Sequence, residues 1–188
     1  ASFFHSTILE HNSFSSALAD QLANDLANIS VQPMMLRSMV KEAFNSSSVI
    51  LQGTVNDLMA VKDRDPACKY FSEPFIFFKG FKALQSHRVA NWLWKNERHT
   101  LAHFIQSRAS EIYGVDIHPA ATIGEGVMID HGTGVVIGET TVIEDDVSIF
   151  QGVTLGGTGK QVGDRHPKVR KGVLLSASST ILGNVEIG

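Results

Sequence analysis

The sequence predicts an α+β protein: an all-helical N-terminal half, residues 1–113, followed by a parallel β-helix of hexapeptide repeats over residues 114–188. Two observations carry this. Up to Tyr113 the apolar residues recur at helical spacing, and beyond it that spacing gives way to a strict period of six.

Ser13 is placed to cap a helix whose Leu18, Leu22, Leu26 and Ile29 fall on one face. Pro33 suits a first helical turn, and Leu36, Met39, Val40, Ala43 and Phe44 then follow the i, i+3, i+4, i+7, i+8 pattern. A third helix runs through Leu51, Val55 and Leu58. It should stop at Lys62-Asp63-Arg64-Asp65-Pro66, because proline disfavours a helical predecessor. Further helices cover about 80–94 and 100–113, rich in Phe, Trp and Leu, and their simplest use is core and subunit interface.

After Tyr113, Ile117, Ile123 and Ile129 stand six apart, with Val115, Ala121 and Val127 two residues ahead of each. Ile137, Ile143, Ile149 and Leu155 form a second run, and Leu175, Ile181 and Ile187 a third. A six-residue period is the signature of a coil in which each hexapeptide makes one side and stacked aliphatics fill the axis. The period fails twice. Two extra residues enter around Asp130-His131-Gly132-Thr133-Gly134. Between Leu155 and Leu175 the stretch of about 157–171 has too few aliphatics to continue the coil and is expected to leave the surface as a loop. Breaks in a rigid solenoid are natural mounts for functional loops.

Bulk properties exclude several classes. With a formal net charge of -3 and a pI of about 6.2, the chain has no basic stripe for nucleic acid or an anionic membrane. No apolar run approaches the roughly 18 residues of a membrane span. The single cysteine, Cys68, rules out an internal disulfide framework, reads as a small buried hydrophobe and suits a reducing, cytoplasmic compartment. The chain begins with Ala1, and the repeat is still running at Gly188, so a C-terminally truncated piece of a longer protein is expected.

The candidate chemistry lies at the breaks. His131 follows Asp130, Arg165-His166 lies in the second break, and His118 follows Asp116 at the start of the coil. Stacked coils are only about 4.8 Å apart, which puts Asp116 and Asp130 within reach of His131. A carboxylate-oriented imidazole is a general base with its pKa near the working pH. The histidines at 118, 131 and 166 share no common phase, so a three-ligand metal site is not expected. Gly156-Gly157-Thr158-Gly159-Lys160 lacks the frame of a phosphate-binding Walker loop, but its glycines allow close backbone approach to an elongated ligand.

Taken together, Asp116-Ile117-His118-Pro119-Ala120-Ala121, Ile129-Asp130-His131-Gly132-Thr133-Gly134, Val136-Ile137-Gly138-Glu139-Thr140, Val153-Thr154-Leu155-Gly156-Gly157-Thr158-Gly159-Lys160, Gly163-Asp164-Arg165-His166-Pro167-Lys168 and Ile181-Leu182-Gly183-Asn184 resemble the bacterial serine acetyltransferases. Ala1-Ser2-Phe3-Phe4-His5, Asp63-Arg64-Asp65-Pro66-Ala67 and Phe81-Lys82-Ala83-Leu84-Gln85 extend the resemblance through the helical half. The resemblance implies a left-handed coil, trimers paired through the helical halves, and transfer of acetyl from acetyl-CoA to the hydroxyl of L-serine. It implies His131 as general base oriented by Asp116, Asp65 and Asp130 on the serine ammonium, Arg165 on its carboxylate, and His166 at the reacting end. Gly157 and Ala177 would border the CoA arm, with no metal. Sites between subunits, feedback inhibition by L-cysteine and docking of O-acetylserine sulfhydrylase on a C-terminal tail are implied as well. Leu175-Ser176-Ala177-Ser178-Ser179 departs from the family's more glycine-rich run here and puts a Ser176 side chain beside the expected CoA channel.

Three other readings compete: a hexapeptide acyltransferase with a different acceptor, a metal-dependent β-helix enzyme of the carbonic-anhydrase type, and a non-catalytic trimeric scaffold. Asp65 and Arg165 favour a zwitterionic amino acid, which wants one anion and one cation. A buried Asp–His pair argues against a scaffold, which apolar residues would serve better.

Overall fold

The computed structural model describes residues 4–160 and 162–188. The Ala1-Ser2-Phe3 part of the N-terminal motif therefore lies outside the described residues. By internal contacts the chain divides into two units, residues 1–51 and 52–188.

The first unit is helical. A short π-helical turn, His5–Leu9, precedes α1 (Phe14–Leu26) and α2 (Pro33–Ser46). The Ser13 hydroxyl accepts the Ser16 amide at 3.1 Å, and Leu18, Leu22 and Leu26 are buried, as the spacing predicts. Ile29 is not part of that face. The helix ends at Leu26, the Asn28 side chain takes the Ser30 and Val31 amides in a turn, and Ile29 is 96 % exposed. Pro33 opens α2, whose predicted apolar face is buried, and Arg37 pairs with Asp20 across the two helices.

Helix α3 (Ser48–Arg64) leads into the second unit, followed by the short α4 (Ser72–Phe77), α5 (Lys79–Lys95) and α6 (His99–Tyr113). The buried face of α3 is Gly53, Thr54, Asp57, Ala60 and Val61, whereas Leu51, Val55 and Leu58 are only half-buried. The face is polar because Asp57, fully enclosed, meets Arg88 of α5 through Nε and Nη2 at 2.8 Å each. Gln85 and the Val127 amide also donate to this carboxylate, at 2.9 and 3.0 Å. Burial pushes the carboxyl upward, and the four donors, Arg88 foremost, pull it back. The cluster joins α3, α5 and the first turn of the coil, where Arg88 also donates to the Gly124 carbonyl.

Among the described residues eleven short strands then form three parallel sheets, ordered β1-β4-β7-β10, β2-β5-β8-β11 and β3-β6-β9. They are β1 (Val115–Ile117), β2 (Thr122–Ile123), β3 (Met128–Ile129), β4 (Val135–Ile137), β5 (Val142–Ile143), β6 (Ser148–Ile149), β7 (Thr154–Gly156), β8 (Lys168–Val169), β9 (Leu174–Leu175), β10 (Thr180–Leu182) and β11 (Glu186–Ile187). Consecutive strands belong to different sheets, so the chain winds as a three-sided prism. Ile117, Ile137, Leu155 and Ile181 line one side of the axis in register. Each fully buried aliphatic contributes about 1.5–3 kcal/mol.

The second break ends sooner than its composition suggests. Val169, surrounded by Lys168, Arg170 and Lys171, is completely buried and pairs with Ile143 and Ile187. Strand alternation turns the charged neighbours outward and the valine inward, so the excursion occupies residues 157–167. Cys68 is buried with Val61, Met128 and Phe78, as a small hydrophobe.

His87 of α5 is buried, its ring bonded to the Ala121 backbone and its Nδ1 without a partner among the described residues. Burial, followed by the nearby Arg88 charge, pushes its pKa down to about 3. The unfolded chain therefore binds the extra proton first, and stability should fall as pH drops from about 6.5 toward 3, with a slope of at most ~1.4 kcal/mol per pH unit. Urea unfolding across this range should show a shallower acid slope in His87→Gln than in the parent protein.

Candidate active site

The prism has three edges, and two of them carry the residues singled out above, apart from Asp65 and Asp116. The first edge joins β3 to β4, β6 to β7 and β9 to β10, and holds Asp130, His131 and, two turns higher, the exposed Ala177. At its base the Gly132 amide donates to the Asp130 carbonyl at 2.6 Å while His131 has φ +56°. An i to i+2 bond around a central residue of positive φ is a γ-turn of the rare, strained kind. It thrusts His131 outward, with 72 % of its side chain exposed, and Nε2 lies 3.8 Å from Asp130 Oδ2. That separation is an ion-pair contact and too long for a hydrogen bond.

The turn is seated on the start of α5. A Cβ on Gly80 would lie 2.0 Å from the Ile129 carbonyl oxygen, so only glycine permits this approach, and Lys79 reaches across to the Thr133 hydroxyl. Asp65, just past the end of α3, caps the Ala67 amide at 2.8 Å. Cys68, three residues on, is packed against Met128, which brings this segment to the strand that leads into Asp130.

The second edge joins β1 to β2, β4 to β5 and β7 to β8. It collects His118, Glu139, Thr140, Gly157, Arg165 and His166 from successive turns. Arg165 Nη2 donates to Glu139 Oε2 at 2.6 Å and Nη1 to the Gly163 carbonyl at 3.0 Å. The Arg165 hydrogen bond holds the Glu139 carboxyl below its ordinary range. A guanidinium has five N–H donors, so these two bonds leave Arg165 capacity for another carboxylate. His166 is 94 % buried by residue, its ring lying on Gly138, where a Cβ would come within 2.0 Å of ring Cδ2. Burial first, then the Arg165 charge, lowers the His166 pKa, so the ring is neutral near pH 7. His118 is shifted the same way by burial, and its ring meets those of Trp94 and His103 edge-on, at 5.2 and 5.5 Å between centroids.

Within one chain the structure thus brings Asp130 to His131 and Gly157 to Arg165 and His166. It does not bring the two groups together, because they lie at opposite ends of β4, one prism side apart. A side four or five residues long spans on the order of 15 Å. Asp116, in the middle of β1, accepts Gln106 Nε2 at 2.8 Å through Oδ1, and no ion pair or hydrogen bond between Asp116 and His131 occurs among the described residues. Sequence reasoning missed Gln106 and the organising part of Thr140. Thr140 lay in a motif already marked, whereas nothing in the helical period distinguishes Gln106. No group of three or more His, Cys, Asp or Glu among the described residues could hold a metal ion, and none of their helices is long and apolar enough to cross a membrane.

A three-sided coil of hexapeptide turns, with imidazoles mounted where the period fails, defines a hexapeptide-repeat acyltransferase. The family profile "Serine acetyltransferase, N-terminal" matches residues 1–86. A serine acetyltransferase of Haemophilus influenzae is 53 % identical over all 188 residues, which cover 70 % of its length. Solved serine acetyltransferases superpose over the whole chain. One from Brucella abortus in complex with coenzyme A has a TM-score of 0.97 at 46 % identity, with 75 % of its chain covered. One from Neisseria gonorrhoeae in complex with serine has a TM-score of 0.97 at 47 % identity and 77 % coverage. A third, in complex with cysteine, gives 0.97 at 53 % identity and 78 % coverage. The chain belongs to the serine acetyltransferase family. Its β-helix is left-handed, as the resemblance implies.

Gly138→Ala is expected to push the His166 ring from its seat and to cost about 1–3 kcal/mol, the usual penalty for overpacking. A thermal melt of the variant within a degree of the parent would show that the ring is not held there.

Proposed function

We propose that the protein transfers the acetyl group of acetyl-CoA to the hydroxyl of L-serine, yielding O-acetyl-L-serine on the route from serine to cysteine, with His131 as general base. The observation that carries this is the outward-thrust imidazole at the strained Asp130-His131-Gly132 turn, in a chain that belongs to the family throughout its length. A primary alcohol is a poor nucleophile at neutral pH. His131 would take its proton as the oxygen attacks the thioester carbonyl, and collapse of the tetrahedral intermediate would return that proton to the departing CoA thiolate. The thioester is already activated, so the chemistry asks for no metal.

Asp130, 3.8 Å from the ring, would favour the imidazolium as it forms. Asp116 would orient His131 through Oδ2, since Gln106 engages only Oδ1. Asp65 and Asp130 would hold the ammonium group, and Arg165 the carboxylate beside its Glu139 partner. The split between the two edges supports a site shared by neighbouring subunits of a trimer: the His131 edge of one copy against the His166 edge of the next, with Gly157 and Ala177 then flanking one CoA arm. Pairing of trimers through the helical half, residues 1–113, with the coil domain over 114–188, completes the proposed assembly. Cysteine differs from serine by sulfur for oxygen and carries the same charged groups, so it would compete at the serine site as a feedback inhibitor. Docking on O-acetylserine sulfhydrylase and a cytoplasmic location follow from the same family reading.

His131→Gln should lower kcat by about 10²–10⁴ with an intact oligomer, and near-normal turnover would remove the base assignment. Co-refolding His131→Gln with Arg165→Ala tests the shared site. With random assembly from equal amounts, about a quarter of all interfaces should regain both groups, so activity should reappear where each variant alone has little. Acetyl-CoA cleavage across a panel of amino acids should respond chiefly to serine.

A further inference from the structure

We propose that Thr140 is a positioning residue that fixes His166 in the tautomer bearing its proton on Nε2, so that His166 meets the substrate as a hydrogen-bond donor and not as a second base. The inference rests on a count of protons around one hydroxyl. Thr140 Oγ1 accepts the amide of Arg165 at 3.0 Å and that of His166 at 3.1 Å. A hydroxyl offers two lone pairs and one proton, so with both lone pairs engaged only the proton remains to be given. The nearest acceptor is His166 Nδ1, 2.8 Å away. The Thr140 amide independently donates to the same nitrogen at 3.2 Å. An Nδ1 that faces an amide N–H and a hydroxyl without free lone pairs cannot itself carry hydrogen, so the ring proton sits on Nε2.

The remaining geometry sets where that proton points. Nε2 would lie 3.5 Å from a Cβ on Gly157, so the absent side chain leaves the nitrogen open at the mouth of the loop, beside Arg165. The neutral form is the one present, because burial and the Arg165 charge disfavour protonation. Glu139 and Asp164 act in the opposite direction, and Lys168 reinforces Arg165. Lys168 keeps the turn closed by donating to the carbonyls of Thr140 and His166 at 2.8 Å each and to Asp164 at 2.5 Å. The Asp164 carboxylate is the rival for the Thr140 proton: Lys168 foremost, and Thr140 among its further partners, hold it below its ordinary range. Thr140 belongs to the turn between β4 and β5, outside the loop, yet it fixes both loop residues assigned to the substrate.

The test reads the tautomer directly. In the whole enzyme labelled with ring-¹⁵N histidine, and with the His166 resonances assigned through His166→Gln, solid-state NMR near pH 7.5 should show a protonated Nε2 and a hydrogen-bonded, unprotonated Nδ1. In Thr140→Val the Nδ1 resonance should move toward that of a nitrogen without a hydrogen bond. The kcat/KM for serine should fall about 2- to 10-fold, the loss typical of a hydrogen bond between neutral groups. Thr140→Ser, which keeps the hydroxyl, should restore both readouts to near the parent values. Protonated Nδ1 in the parent enzyme overturns the proposal, and that spectrum decides it even if Thr140→Val does not fold. An Nδ1 resonance unchanged in Thr140→Val, as when the hydroxyl serves Asp164, overturns it too, as does an unchanged kcat/KM. The kinetic arm depends on the proposed serine activity, but the resting-state spectra do not, so a failure of that activity is seen separately.

Discussion

Everything in this molecule depends on the obligation of each β-helix turn to come back into register over the one below. Inward aliphatics touch only if the rise is one strand spacing, about 4.8 Å, and the turn holds a whole number of hexapeptides. Where Ile137 pairs with Leu155 the turn is eighteen residues long and has nothing to spare. Where Ile129 pairs with Ile149 it is twenty, and where Ile149 pairs with Leu175 it is twenty-six. The surplus cannot enter the axis, so it is extruded at an edge. The two surpluses are the γ-turn of His131 and the loop of Arg165 and His166.

The scaffold treats charge differently at its joints and at its edges. At the joint between α3, α5 and the first turn, Asp57 and Arg88 are almost wholly removed from water. Such a pair is tolerated only because Gln85, the Val127 amide and the Gly124 carbonyl satisfy what the two ions leave over. At the edges the opposite holds: His131 is exposed, and Arg165 keeps donors in reserve. The saturated Asp57–Arg88 cluster holds elements together, and Arg165 at the edge keeps capacity for a ligand.

The period of six was legible because it is a property of the backbone path, and the residues placed at its failures are those the structure mounts there. Two kinds of feature were not legible. Val169 was hidden because one inward aliphatic among Lys168, Arg170 and Lys171 gives no periodic signal. The buried face of α3 was misassigned to Leu51, Val55 and Leu58 because an Asp at 57 reads as solvent-facing unless its Arg88 partner, thirty-one positions away, is already known to be opposite. Asp116 illustrates a third limit. Stacking geometry puts it one turn from Val136 but cannot say that a helix residue, Gln106, takes one of its oxygens.

The γ-turn at Asp130-His131-Gly132 has an energetic meaning of its own. A left-handed central residue in such a turn stores about 1–3 kcal/mol, and glycine would relieve most of it. Selection for folding alone would therefore favour a chain without a side chain at this point. The imidazole is a standing debit against stability, and a chain without the base role proposed for it would drift toward a more robust, inert solenoid through this one position.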